Sequence, residues 1–146
     1  MAEIRHTFAE KSYMADYLEQ IPGFEKGTVQ CVCATDAEDA LYLGAQMVSD
    51  LLSKWFTNVA YFSLLGHAEA LQALVQNTAG FTQLYAINQK NPNLGTILQK
   101  SQGMLHRKFV RAVIIEGLPD PDQDGLRSLQ NFAKEADIPI ILLKVS

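Results

Sequence analysis

The residues best suited to chemistry in this chain stand directly behind its apolar runs. The run GTVQCVCA (27–34) is followed by Thr35, Asp36, Ala37, Glu38, Asp39 and Ala40, which puts three carboxylates within four positions. Glu116 closes a second run, FVRAVIIE, and Lys144 stands near the end of a third, IPIILLKV. Acidic groups collected at strand ends suit either of two roles. If the strands that these runs form lie side by side, Asp36, Asp39, Glu116 and Lys144 form a candidate ion-pair or cation cluster, with Lys144 neutralising the acids as a structural ion pair in preference to a metal site. Glu38 and Asp39 also suit the first turn of a helix, where the helix dipole favours negative charge and Thr35 or Asp36 serves as N-cap.

The remaining polar candidates carry weaker signals. His67 follows the run VAYFSLL, and His6 and His106 lie far from it in sequence, so spacing suggests no Ser/His/Asp or Cys/His set and His67 reads as a surface or capping residue. His106, Arg107, Lys108 and Arg111 form a basic cluster that could touch a phosphate backbone, although a basic helix C-terminus is favoured by the dipole without any ligand. Cys31 and Cys33 share one face of an apolar strand without further Cys or His ligands nearby, and read as small buried hydrophobes. No metal and no cofactor is expected from these patterns. Trp55 and Phe56 are expected in the core or against the N-terminal segment.

The elements that position these groups follow from periodicity. Phe8, Met14, Tyr17 and Leu18 recur at helical spacing within 7–20, an amphipathic arm that ends at Ile21-Pro22-Gly23. Strand one, at 27–34, is short, apolar and rich in β-branched residues. Leu41, Gly44, Met47, Val48, Leu51, Leu52 and Trp55 then recur every three or four positions, a helix with one buried face over 37–55. The alternation repeats: strand 59–65 and a helix near 67–77, strand 83–87 and a helix beyond Asn91-Pro92-Asn93, strand 109–116 and a helix near 124–136, then strand 138–145. Strands alternating with helices predict an α/β fold, a parallel sheet with helices on both faces. In such sheets a ligand site lies beyond the carboxyl ends of the strands, where Asp36, His67, Glu116 and Lys144 fall.

Bulk properties set the frame. A chain of 146 residues with 48% hydrophobic and 19% charged residues predicts one domain, an arm over 1–22 and an α/β core over 23–146. The net charge of −4 gives no global attraction to nucleic acid, so such contact is not favoured and would have to be local. No apolar run approaches the ~20 residues that span a bilayer, and MAEIRHTFAEKSYM has no signal-peptide core, so no membrane contact and a cytoplasmic location are expected.

Taken in order, GFEKGTVQCVCA, VAYFSLLGHAEALQAL, FVRAVIIEGL and LRSLQNFAKEADIPIILL resemble the RecA-like motor domain of bacterial hexameric replicative helicases, the DnaB family, over about residues 21–146. The resemblance implies a three-layer domain with a five-stranded, mainly parallel sheet in the order 3-2-4-5-1. It also implies the places where catalysis is lost. Thr35 to Ala40 fall on the phosphate loop, with Glu38, Asp39 and Ala40 where Gly, Lys and Thr belong. Backbone N–H groups, a Lys and an Mg²⁺-holding hydroxyl are what such a loop needs, and carboxylates repel a triphosphate. Leu65 falls on the family's water-activating Glu, and an aliphatic side chain accepts no proton. Glu116 stands for an Mg²⁺-associated Asp, and Val145 for a nucleotide-sensing Gln. The sequence stops at Ser146, directly after strand five, so the family's later strands, DNA-contacting loops and trans-acting arginine have no counterpart in it.

The expectation is a degenerate motor-like domain without ATPase activity, acting through a protein partner or by self-association in replication or recombination. In that family a helical segment ahead of the core docks on the adjacent subunit, which makes the arm at 7–20 the expected contact of a homo-oligomer. Two other readings stay open: a nucleotide binder or weak ATPase with an unorthodox loop, and a single-stranded nucleic-acid binder using the basic cluster.

Overall fold

The computed structural model describes residues 24–146; the arm expected at 7–20 lies outside the described residues. Five strands and four helices alternate: β1 (Val29–Ala34), α1 (Ala37–Ser53), β2 (Val59–Ser63), α2 (Ala68–Val75), β3 (Leu84–Asn88), α3 (Leu94–Arg107), β4 (Ala112–Glu116), α4 (Gln123–Ala136) and β5 (Ile140–Val145). All strand pairs are parallel, and the sheet order is β1-β5-β4-β2-β3. This is the expected 3-2-4-5-1 order read from the other edge.

Strand parity builds the two cores. Val59 and Tyr61 of β2, with Ala112 and Ile114 of β4, face one cluster that holds Leu43, Met47 and Leu51 of α1 and Leu71 of α2. Ala60 and Phe62, with Val113 and Ile115, face the opposite cluster with Ile97 of α3 and Leu129 and Ala133 of α4. The central strands β2 and β4 are buried at every residue, which is why both read as unbroken apolar runs.

Several boundaries fall inside the expected ones, for local reasons. β2 stops at Ser63 because the Ser63 hydroxyl accepts from the backbone N–H groups of Leu65 and His67 and turns the chain out of the sheet. β4 starts at Ala112 because Phe109, at φ +54°, has a left-handed backbone that no strand continues through. Two side-chain expectations meet a different outcome. Trp55 and Phe56 stay out of the core, 49% and 81% exposed, because α1 ends at Ser53 and Phe56 takes a left-handed φ of +51°, while their packing against the N-terminal segment falls outside the described residues. Cys31 and Cys33 are half-buried rather than buried, because β1 is an edge of the sheet among the described residues.

Candidate functional site

The turn between β1 and α1 is only Thr35 and Asp36 long. Asp36 is the N-cap of α1, and its Oδ1 accepts from the Asp39 N–H at 2.7 Å while its carbonyl accepts from the Ala40 N–H at 3.0 Å. Asp39 is fully buried, and its Oδ2 accepts from the Thr35 N–H at 3.0 Å and the Thr35 hydroxyl at 3.2 Å. Glu38 is exposed. The Thr35 and Asp39 amides, donors that an anion-binding turn would offer to a ligand, are here taken by the chain's own carboxylates. The second oxygen of Asp39, Oδ1, is buried without a hydrogen-bond partner.

A polar cluster that spacing did not reveal lies at the carboxyl ends of β2 and β4. Parallel pairing sets Ser63 beside Glu116, and alternation puts Tyr61, Ser63 and Glu116 on the α1 face. Glu116 is fully buried. Its Oε1 accepts from the Ser63 hydroxyl, and its Oε2 accepts from the Tyr61 hydroxyl at 2.9 Å and from His67 Nδ1 at 2.9 Å. Ser63 thereby uses its one proton on Glu116 and both lone pairs on the Leu65 and His67 amides. Burial, and after it the negative charge of Glu116, push the Tyr61 hydroxyl well above the usual tyrosine range, so Tyr61 donates.

These contacts decide what the cluster can do. Ser63 gives its proton to Glu116 rather than to His67 and is itself fully buried, so no nucleophilic relay is formed. Glu116 has a donor on each oxygen and is fully buried. His67 reaches the surface, with its side chain 17% exposed, and its Nδ1–H bond to Glu116 leaves Nε2 as the acceptor in the neutral ring. His67 therefore departs from its expected surface or capping role. It occupies the N-cap position of α2 without a side-chain cap, while Asn88 Oδ1 takes the Ala68 N–H instead.

Two glycines fit the cluster to its surroundings. A Cβ on Gly44 of α1 would lie 2.2 Å from the Tyr61 hydroxyl oxygen, so α1 crosses β2 closely enough to bury Tyr61 only because position 44 has no side chain. Gly117 has φ +83°, and a Cβ there would stand 2.9 Å from Cγ of Leu65. Leu65 thus packs over the turn that follows Glu116.

The expected cluster of Asp36, Asp39, Glu116 and Lys144 divides among separate partners. Lys144 pairs with Asp120, from the loop after β4, and that hydrogen bond raises its pKa. Asp39 bonds Thr35, Asp36 caps α1, and Glu116 holds Tyr61, Ser63 and His67. Three of the four basic residues have partners within the fold. Arg111 donates to the carbonyls of Leu105 and Val110, Lys108 lies 5.7 Å from the centre of the Tyr85 ring, and His106 pairs with Gln102 at 2.9 Å. Among the described residues no group of three or more His, Cys, Asp or Glu side chains is placed to hold a metal ion, and no helix is long and apolar enough to cross a membrane.

No family profile and no curated protein matches the chain. Among solved structures it is similar to a KaiC-like protein from the hyperthermophilic archaeon Pyrococcus horikoshii OT3, with a TM-score of 0.62 at 12% identity over 83% of this chain. The match spans 64% of that protein's length. The likeness, together with the strand order, shows a RecA-like fold.

Proposed function

We propose that this RecA-like chain is a non-catalytic relative of the replicative helicase motors and acts through protein contacts in replication or recombination. The observation that carries the reading is the β1–α1 turn. Where a phosphate-binding loop would present free N–H groups, the Thr35 amide and hydroxyl bond Asp39, and the Asp39 amide bonds Asp36. A triphosphate entering there would have to displace hydrogen bonds from two carboxylates and then sit beside their charge, which is unfavourable even with solvent screening. The acidic residue that would hold Mg²⁺, Glu116, is satisfied by Tyr61, Ser63 and His67, and Leu65 offers no base. A scaffold kept without its nucleotide chemistry keeps its surfaces, so function falls to binding.

Thermal unfolding with millimolar ATP, with and without Mg²⁺, tests the proposal. A ligand present at 100 times its dissociation constant adds about 2.7 kcal/mol, enough to raise the melting temperature by several degrees. No shift is expected in either condition, and a stabilisation of several degrees overturns the reading.

A further inference from the structure

At the end of the sheet opposite Glu116, the segments that lead into β1, β2, β4 and β5 surround a cavity of about 580 Å³. Its lining includes three exposed aromatic side chains: Phe56 (81%), Phe109 (66%) and Trp55 (49%). Phe24 is buried in the lining, edge-on to Trp55 with ring centres 6.2 Å apart. Four non-glycine residues among those described have a positive φ, namely Phe24, Phe56, Phe109 and Asp137, and all four line this one cavity. A left-handed backbone at a bulky residue costs roughly 1–2 kcal/mol each. Strain that turns aromatic rings into a cavity, with those rings still exposed, marks a surface that something covers.

The chain itself has a segment at hand to cover it. Residues 1–23 precede the described part of the chain and join it at Phe24, which is itself in the cavity lining. They supply apolar side chains at Phe8, Met14, Tyr17, Leu18 and Ile21, and their four acidic and two basic residues give −2. The cavity lining carries Lys26 and Arg111 against Asp137, a charge of +1. Leu18 lies six residues before Phe24, within a reach of roughly 20 Å of chain. A short tether raises the local concentration of a segment to about the millimolar range, so even weak apolar contacts suffice in cis.

We propose that the N-terminal segment, residues 7–22, docks in this cavity of its own chain and covers Trp55, Phe56 and Phe109. The inference does not rest on the loss of nucleotide chemistry, and its test contains no nucleotide, so the two can fail separately. Trp55 is the sole tryptophan, and its fluorescence in the full chain reports the cavity directly. The wild-type protein is expected to show a blue-shifted emission and slow quenching by acrylamide, both unchanged on dilution. Leu18→Ser combined with Tyr17→Ser, in the full chain, is expected to move the emission to longer wavelength and to lose the protection from quenching. Circular dichroism of the double variant checks that the sheet and helices persist. A wild-type indole that quenches like a free one overturns the proposal without any variant. Unchanged quenching in the double variant also overturns it, and protection that disappears on dilution overturns it in favour of a second copy as the occupant.

Discussion

Replacing Gly44 by Ala should destabilise this protein although alanine is the better helix former. The added Cβ stands 2.2 Å from the Tyr61 hydroxyl oxygen, 2.9 Å from its Cζ and 3.0 Å from Cε2, all far inside van der Waals contact. Tyr61 cannot retreat, because it is fully buried and its hydroxyl is held by Glu116 at 2.9 Å. Either α1 shifts outward or the ring leaves its rotamer and gives up the hydrogen bond. Overpacking costs about 1–3 kcal/mol, and losing a hydrogen bond to a charged acceptor costs about 1.5–3 kcal/mol. Helix propensity returns about 1 kcal/mol, which leaves a net loss of about 1.5–5 kcal/mol by urea unfolding where the ring moves and incurs both costs. Tyr61→Phe removes the nearest atom of the clash, so the cost of Gly44→Ala should fall in that background, with a coupling of at least about 1 kcal/mol in a double-mutant cycle. Equal stability of Gly44→Ala and wild type, or costs that simply add in the double variant, would refute the packing argument.

Three further outcomes follow from the same geometry. Asp39→Ala removes the acceptor of the Thr35 amide and hydroxyl and should cost about 1.5–3 kcal/mol, whereas Asp36→Ala removes one N-cap and should cost about 1 kcal/mol; urea unfolding of both variants checks the order. Tyr61 has a raised folded-state pKa, so the native protein keeps a proton that the unfolded chain releases: its contribution is fully present below the unfolded value and is lost as pH rises through the folded one. Stability should therefore fall above about pH 10, and a Tyr61→Phe variant that falls as steeply would defeat the assignment. Glu116→Gln should leave ATP hydrolysis at background, as should Glu38→Gly with Asp39→Lys, because Leu65 still provides no base; turnover in wild type that disappears in Glu116→Gln would contradict the whole reading of the site.

Much of the fold was legible because its causes are local. Apolar runs of strand length alternating with helical stripes gave five strands and four helices, and the acidic turn after Ala34 announced the capping that Asp36 performs. The polar cluster was not legible in that way. Tyr61 and Glu116 are 55 residues apart, and only the pairing of β2 with β4, in the register that sets Ser63 opposite Glu116, brings their side chains to one face. Given the strand order, parity could have found Ser63. His67 could not be found so, because it lies beyond the strand and reaches Glu116 only through the turn that the Ser63 hydroxyl bends. Lys144 found Asp120 rather than the β1 acids because a loop decided its neighbour. The aromatic cavity was hidden for the same reason: Phe24, Phe56 and Phe109 precede three different strands, and only the closed sheet collects them around one space.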